Sequence, residues 1–405
     1  MSINPGAMLG ILGGGQLGRM FTMAAQSMGY RVTVLDPDDN GPTSSIADRH
    51  LAADYLDPSA LRELGSTCAA VTTEFENVPA EALRILATYC NVSPAADSVA
   101  IAQNRIREKQ FLSSNGFQVA PFRVIDCEWN SNGASNGLRE APLGEFENLY
   151  GDLFPGILKV SRFGYDGKGQ ALVNDVEELK NAFDNMNREP CVLEKLMPLK
   201  TEISVIVARG FNGAASAFTV PENRHRKGIL DVSIAPARLP SSIVGTAREA
   251  AMKIAERLDY NGVLCAEFFV LEDGRLLVNE IAPRPHNSGH YTIDACITSQ
   301  FEQQVRVLCG MPLGSTAMHS AAVMVNLLGD LWSRGEPEWE QILRHPGVKL
   351  HLYGKHSARP GRKMGHYTVL DDDVEAALQL ALEIKQSLEI EQCLEGSTVE
   401  KQGSE

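Results

Sequence analysis

The 405-residue sequence lacks most of the features that assign a chain quickly to a class of protein. It has no long apolar run and no basic segment leading into one, so it predicts neither a membrane-spanning helix nor a signal peptide. Basic residues are few, 37 against 51 acidic ones, and the net charge of −14 argues against a nucleic-acid-binding protein. None of the eight cysteines forms a C-x-x-C pair, which favours reduced thiols over disulfides or zinc. These properties predict a soluble, cytoplasmic protein of two or three domains.

The N-terminus carries a glycine loop between an apolar strand and a helix. Residues 7–12 are apolar, a helical pattern covers 19–29, and a second strand, 31–35, ends at Asp36. This order predicts an α/β domain with a parallel sheet. Gly13, Gly15 and Gly18 match G-x-G-x-x-G, whose backbone amides can bind a phosphate at a helix N-terminus. A dinucleotide site with Asp36 at the ribose and a simple tight turn are both open alternatives.

Two glutamates are predicted to face each other on one hairpin. The strands 262–271 and 275–281 flank Asp273-Gly274, a strong turn signal, and either a two-residue or a four-residue loop there pairs Glu267 with Glu280. Because like charges destabilise a sheet, either one carboxyl group is protonated or a cation lies between them. Mg²⁺ suits two carboxylates. Asn279 is expected to point to the other face of the strand.

A second glycine loop, residues 164–170, lies between predicted strands at 156–160 and 170–173. A glycine loop between two strands predicts a lid over phosphates, and the Walker pattern G-x-x-x-x-G-K-[ST] is absent. Lys159, on the strand before the loop, is placed to reach a nucleotide phosphate. A surface hairpin with a solvated lysine is the alternative. A single helix is predicted over 97–115, and the segment 128–153 has the composition of a surface insertion.

Two polar segments follow the hairpin. Arg284, His286 and Asn287 stand between and after two prolines that hold the chain extended. Lys355 and Arg362 belong to a basic, Gly- and Pro-rich stretch, which predicts an anion site in an otherwise acidic chain. Polar and basic loops that are merely solvated are the alternatives.

Taken together, GGGQLG, EFENVP, KVSRFGYDGKGQ, NEIAPRPHNSGH and YGKHSARPGRKMGH resemble the 5-(carboxyamino)imidazole ribonucleotide synthetase family of the ATP-grasp superfamily. The resemblance implies a fold of the α/β and α+β classes: an ATP-grasp domain at 103–310, with a lid at about 120–192, after a Rossmann-like (pre-ATP-grasp) domain at 1–102. A small C-terminal domain at 311–395 and a disordered tail at 396–405 complete it. Phe163 departs from the family, which usually has glycine there.

The resemblance also implies a reaction. ATP, bicarbonate and 5-aminoimidazole ribonucleotide give the carboxyamino product, ADP and phosphate through carboxyphosphate, in purine biosynthesis. The family is commonly dimeric, which implies a homodimer. A sister ligase such as formate-dependent glycinamide ribonucleotide transformylase, a dinucleotide-dependent oxidoreductase and a nucleotide-sensing protein with a degenerate site are the competing hypotheses.

The roles of individual residues follow from the same resemblance. ATP is expected to contact Arg105, Lys159, Gly164, Tyr165, Asp166, Gly167, Lys168, Gly169, Gln170, Glu194, Lys195, Leu196, Met197, Glu202, His225, Asn279 and Glu280. Mg²⁺ is expected on Glu267 and Glu280. Bicarbonate and carboxyphosphate are assigned to Arg284, His286 and Asn287, and the substrate amine to Tyr165 and Asp166. The ribonucleotide is assigned to Gly15, Gln16, Leu17, Glu76, Lys355 and Arg362.

Overall fold

The N-terminal part is a parallel sheet flanked by helices, as predicted. A computed structural model describes residues 2–125, 149–162 and 169–394 of the chain. The sheet has the order β3-β2-β1-β4-β5 with every pair parallel. Its strands are β1 (Met8–Leu12), β2 (Arg31–Leu35), β3 (Arg49–Leu51), β4 (Ala70–Thr73) and β5 (Asn91–Val92). Its helices are α1 (Gln16–Ser27), α2 (Pro58–Thr67), α3 (Ala80–Leu86) and α4 (Ala96–Ala102).

The single helix predicted over 97–115 was wrong. The chain forms α4 and then α5 (Arg105–Ser114), with a break at Gln103 and Asn104. The side chain of Asn104 accepts a hydrogen bond from the backbone N–H of Arg107 at 3.1 Å, and its φ of −127° is extended. Asparagine at this position is a strong N-cap, so it begins a new helix. The break lies near the predicted boundary between the first two domains.

A four-stranded antiparallel sheet follows, in the order β6-β9-β7-β8. Its strands are β6 (Phe122–Ile125), β7 (Gly156–Val160), β8 (Gln170–Val173) and β9 (Cys191–Lys195), and α6 (Val176–Asn185) packs on them. Residues 126–148, which include most of the insertion predicted at 128–153, lie outside the described residues, as do residues 163–168. The strands predicted at 156–160 and 170–173 are confirmed.

The largest sheet joins the middle of the chain to its C-terminal part. Its path is β15-β14-β10-β12-β13-β16-β18-β17, with β11 on β10. The strands are β10 (Leu199–Arg209), β11 (Ala215–Ala217), β12 (Glu222–Arg226), β13 (Ile229–Ala235), β14 (Gly262–Leu271), β15 (Leu276–Ala282), β16 (Ala321–Leu328), β17 (Val348–Leu352) and β18 (Lys363–Asp371). Because β16 pairs with β13, the predicted C-terminal domain extends the central sheet.

Five helices accompany this sheet: α7 (Ser241–Arg257), α8 (Thr292–Ala295), α9 (Gln300–Leu308), α10 (Glu340–Leu343) and α11 (Val374–Leu394). Apolar residues of α7 pack on β10 and β14, and those of α11 pack on β13, β16 and β18. Within the described ranges, no helix has the length and apolar character needed to cross a membrane. The tail predicted to be disordered, 396–405, lies outside the described residues.

Candidate active site

The hairpin glutamates face each other, although the predicted turn was wrong. Glu267 of β14 pairs with Glu280 of β15. The turn is a three-residue loop, because the backbone N–H of Leu271 donates to the carbonyl of Arg275 at 2.9 Å and Gly274 has a φ of +84°. That loop alone would place Glu267 opposite Asn279. A bulge between Glu280 and Val278 adds one residue, Asn279, and restores the pair.

Each hairpin glutamate has its own basic side chain as a partner. Arg105 Nη2 donates to Glu280 Oε2 at 3.1 Å, and His286 Nε2 lies 2.9 Å from Glu267 Oε1. Burial opposes ionisation of Glu267, but His286, His225 and Arg284 outweigh it and hold its pKa at about 2. The repulsion expected from paired carboxylates is therefore offset by side chains of the protein.

A second cluster of charges lies beside the hairpin. Glu194 Oε2 is 3.1 Å from both Lys159 Nζ and Lys109 Nζ. Lys109 also donates to the backbone carbonyl of Asn279 at 2.9 Å. Sequence reasoning missed Lys109. Its position four residues after Arg105 puts both on one face of α5, and that spacing was the available signal.

Three buried polar atoms in these clusters lack a hydrogen-bond partner within the described part of the chain. They are Arg105 Nη1, Glu194 Oε1 and Asn279 Oδ1. Buried polar atoms are normally paired. The three residues lie in one network, because Arg105 binds Glu280 and Lys109 contacts both Glu194 and Asn279. They include a donor and two acceptors, so the arrangement suits a polar, anionic ligand that carries a cation.

The predicted adenine and ribose contacts lie on β9 and β10. The N–H groups of Lys195 and Leu196 already donate to the carbonyls of Pro121 and Pro155, both at 2.9 Å. Glu202 Oε1 lies 3.2 Å from His225 Nδ1. Burial lowers the pKa of His225, but Glu202 and the charge of Glu267 outweigh it and raise that pKa. The structure therefore brings Glu202, His225 and Glu267 together.

Two of the seven predicted lid residues lie within the described part of the chain. Gly164, Tyr165, Asp166, Gly167 and Lys168 lie outside the described residues, as does Phe163. Gly169 accepts a backbone hydrogen bond from Val160, and Gln170 pairs with Lys159 across β7 and β8. Met197 packs beside Ala120, Leu271 and Leu277 at the end of the linker.

Arg284 joins the hairpin to the N-terminal sheet. Its Nε donates to Glu76 Oε2, in the segment after β4. Burial opposes ionisation of Glu76, but Arg284 outweighs it and holds the pKa of Glu76 at about 2. Asn287 is engaged differently, in a reciprocal amide pair with Asn326 at 3.0 and 2.6 Å.

His286 is held by a chain of hydroxyl and amide groups. Its Nδ1 lies 2.8 Å from Ser288 Oγ, which lies 2.7 Å from Ser204 Oγ. Asn223 Nδ2 then donates to Ser204 Oγ at 2.9 Å. A ring fixed at Nδ1 presents Nε2 to Glu267 in one orientation.

The N-terminal glycine loop is occupied by carboxylates of the chain itself. Glu74 accepts hydrogen bonds from the N–H groups of Gly15 and Gly18, and Asp36 accepts one from Gly14 at 2.6 Å. A Cβ at Gly13 or Gly15 would lie 2.3 Å from Glu74, so only glycine fits. A dinucleotide pyrophosphate would need the amides that Glu74 binds, which disfavours the oxidoreductase hypothesis.

The basic C-terminal segment reaches this same loop. Lys355 Nζ donates to Gln16 Oε1 at 2.7 Å, across 339 positions of sequence. Its ammonium also lies 5.5 Å from the centre of the Tyr353 ring. Arg362 Nη1 donates to the carbonyl and hydroxyl oxygens of Ser357, both at 2.8 Å. Burial and the nearby Arg359 lower the pKa of Arg362.

Three family models match the chain in order. They describe a ribonucleotide synthetase preATP-grasp domain at residues 7–103, an ATP-grasp domain at 110–301 and a phosphoribosylaminoimidazole carboxylase C-terminal domain at 322–380. The three matched ranges correspond to the N-terminal, middle and C-terminal parts of the chain described above.

Curated relatives and solved structures agree with these models. The N5-carboxyaminoimidazole ribonucleotide synthases of Brucella melitensis and Bacillus subtilis are 45% and 42% identical, over 91% of this chain and 97% and 92% of theirs. The Staphylococcus aureus synthetase complexed with ADP is 38% identical with a TM-score of 0.84, over 95% of this chain and 98% of that one. The Aspergillus clavatus synthase with ADP and 5-aminoimidazole ribonucleotide is 31% identical with a TM-score of 0.83, again over 95% and 98%.

Proposed function

Because this chain belongs to the N5-carboxyaminoimidazole ribonucleotide synthase family of ATP-grasp ligases, we propose that it carboxylates 5-aminoimidazole ribonucleotide with ATP and bicarbonate. The products are the carboxyamino ribonucleotide, ADP and phosphate. The observation that carries the proposal is the match to all three family models in order. The C-terminal match at 322–380 distinguishes this family from sister ligases that share the ATP-grasp domain.

ATP binding is assigned to the charge clusters around β9 and the hairpin. Arg105 and Lys159 bind the phosphates, and the lid at 164–170 closes over them. Glu202 and His225 bind the ribose side, which their contact at 3.2 Å supports. The Lys195 and Leu196 amides are engaged, so the linker contributes its backbone carbonyls to the amino group of adenine.

The residues of the hairpin fit Mg²⁺. Glu267 and Glu280 supply carboxylate oxygens, and Asn279 Oδ1 is a buried acceptor with no partner among the described residues. The bulge makes Asn279 and Glu280 together oppose Glu267, which supports Asn279 as a neighbouring ligand. When bound, Mg²⁺ neutralises phosphate charge and orients the phosphates.

The acceptor side of the reaction is assigned to residues beyond the hairpin. Arg284 and His286 bind bicarbonate, and their pairing with Glu76 and Glu267 fixes where their side chains lie. Asn287 shapes this pocket through Asn326. Tyr165 and Asp166 of the lid orient the substrate amine.

The substrate phosphate is assigned to the junction of the first and last parts of the chain. Lys355 and Arg362 supply charge, and the first turn of α1 at Gly15, Gln16 and Leu17 supplies backbone amides. Glu74 engages the Gly15 and Gly18 amides, so Gln16 and Leu17 carry this role. Glu76 holds Arg284 toward the same substrate.

The chemistry then requires two transfers. A bicarbonate oxygen attacks the γ-phosphorus of ATP and releases ADP, giving carboxyphosphate. The amine of 5-aminoimidazole ribonucleotide attacks the carboxyl carbon, phosphate leaves, and the nitrogen loses a proton. The side chains act by orientation, by electrostatic stabilisation of the transferring phosphoryl group and by exclusion of water.

Phosphate release from Mg·ATP and bicarbonate tests the proposal. We expect release to depend strongly on 5-aminoimidazole ribonucleotide. Release that ignores this compound but responds to glycinamide ribonucleotide and formate would show a sister ligase. Absence of release under both conditions would refute a ligase role.

A homodimer and a cytoplasmic location are also proposed, and the family resemblance alone supports them. Light scattering of the purified protein tests the first, and fractionation of the source cells tests the second.

A further inference from the structure

One carboxylate of the proposed nucleotide site is shared by two lysines. Lys109 Nζ and Lys159 Nζ each lie 3.1 Å from Glu194 Oε2. The side chain of Lys109 is fully buried, and that of Lys159 is 10% exposed. Both ammonium groups therefore compete for one acceptor in a site with little access to water.

The second contact of Lys109 distinguishes it from Lys159. Lys109 donates to the carbonyl of Asn279 at 2.9 Å, so it joins α5 and β9 to the bulge of the hairpin. Lys159 lies on β7 next to the lid, where Gln170 of β8 pairs with it. The ammonium of Lys109 is thus held by contacts to both β9 and the hairpin bulge, whereas Lys159 lies beside the lid.

The proposed role of Lys159 conflicts with its pairing to Glu194. An ammonium group that moves to ATP phosphates leaves its carboxylate. If Lys159 were the sole partner of Glu194, that move would leave a buried, unpaired charge, which is strongly unfavourable. Arg105 is the other nearby cation, and its Nη2 is bound to Glu280. Once Lys159 leaves, Lys109 would be the remaining lysine within 3.1 Å of Glu194 Oε2.

We propose that Lys109 is a positioning residue for ATP, which retains Glu194 so that Lys159 can transfer to the phosphates. The inference rests on the proposed nucleotide site. It predicts that loss of Lys109 leaves the fold intact without nucleotide, since Lys159 then pairs with Glu194. It also predicts that ATP binding suffers, because Lys159 can no longer leave.

Calorimetric titration with Mg·ATP tests this inference in four variants of the full chain. Lys109→Met should weaken ATP binding at least about tenfold. Its melting temperature without nucleotide and its KM for 5-aminoimidazole ribonucleotide should change little. Lys109→Met/Glu194→Gln should bind ATP much more tightly than Lys109→Met, because no carboxylate then retains Lys159. Glu194→Gln alone should match this double variant. Lys253→Met, on the exposed face of α7, is the matched control.

Three outcomes would overturn the inference. They are wild-type ATP affinity in Lys109→Met, no recovery on adding Glu194→Gln, and a double variant that binds ATP more weakly than Glu194→Gln alone. The last comparison decides the question even if Lys109→Met fails to fold. Lys159→Met separates the two proposals, because unchanged ATP affinity in that variant would refute the nucleotide site itself.

Discussion

At the scale of residues, the site pairs each functional acid with a base of the same chain. Glu280 binds Arg105, and Glu267 binds His286. These pairs explain how two carboxylates can face each other on adjacent strands. A ligand that binds one of these side chains must therefore displace its partner within the protein. Each substitution then removes both the contact with the ligand and the pair within the protein.

Glu280→Gln tests the metal assignment. The amide keeps the shape of the side chain and an oxygen for Arg105, so we expect a folded protein. It loses the anionic oxygen proposed for Mg²⁺, so phosphate release should fall at least about a hundredfold, as when one electrostatic contact to a transition state is lost. Phosphate release and circular dichroism measure the two effects.

Glu272→Gln is the matched control, because Glu272 lies in the turn of the same hairpin and is exposed. It should release phosphate at the wild-type rate. Wild-type turnover in Glu280→Gln would remove Glu280 from the metal site.

At the scale of elements, local patterns predicted strands well and their connections less well. The strands of the hairpin were predicted, and the pairing of Glu267 with Glu280 was right only because a bulge offset the wrong turn. No local signal marked the bulge, since Asn279 is held by Lys109 from α5. The capping of the glycine loop by Glu74 was missed for the same reason, because Glu74 and Gly15 are 59 positions apart.

The contact of Glu76 with Arg284 links the segments after β4 and β15, and we expect it to depend on pH. Arg284 holds the folded-state pKa of Glu76 at about 2, below its ordinary 4.5. A lowered pKa stabilises the fold fully above pH 4.5, and this contribution is lost as the pH falls toward 2. Such a shift corresponds to about 3 kcal/mol at most.

Glu76→Gln should therefore lower the free energy of unfolding at pH 7 by about 1–3 kcal/mol. It should also lessen the loss of stability between pH 4.5 and 3, where Glu76 of the unfolded chain becomes protonated while folded Glu76 stays ionised. Urea unfolding at a series of pH values measures both effects. Glu177→Gln, at an exposed site on α6, is the control. Parallel pH curves for Glu76→Gln and wild type would contradict the assigned pair.

At the scale of the whole molecule, the proposed site draws residues from all three parts of the chain. Glu76 comes from the segment after β4 of the first sheet, Arg284 and Glu194 from the middle, and Lys355 from the C-terminal part. Motif resemblance assigns these residues to one site, whereas composition and periodicity alone could not, because contacts across hundreds of positions leave no local pattern. Lys109 was missed because its spacing of four residues from Arg105 shows that the two share a helix face but not that this face is buried.

Lys355→Met tests whether the first and last parts of the chain form one substrate site. Lys355 contacts Gln16 at 2.7 Å, at the start of α1 where the substrate phosphate is proposed to bind. Loss of one charge-assisted hydrogen bond should raise the KM for 5-aminoimidazole ribonucleotide about ten- to hundredfold. The KM for ATP should stay unchanged, because the ATP contacts lie on other elements. Steady-state phosphate release gives both constants.

Lys349→Met is the matched control, since Lys349 lies on β17 close in sequence to Lys355 and is exposed. It should leave both KM values at the wild-type level, because it removes a charge from the same part of the chain without touching α1. A Lys355→Met variant with a raised KM for ATP and an unchanged KM for the ribonucleotide would place Lys355 on the nucleotide side. The junction between Gln16 and Lys355 would then serve to join the domains rather than to bind the substrate.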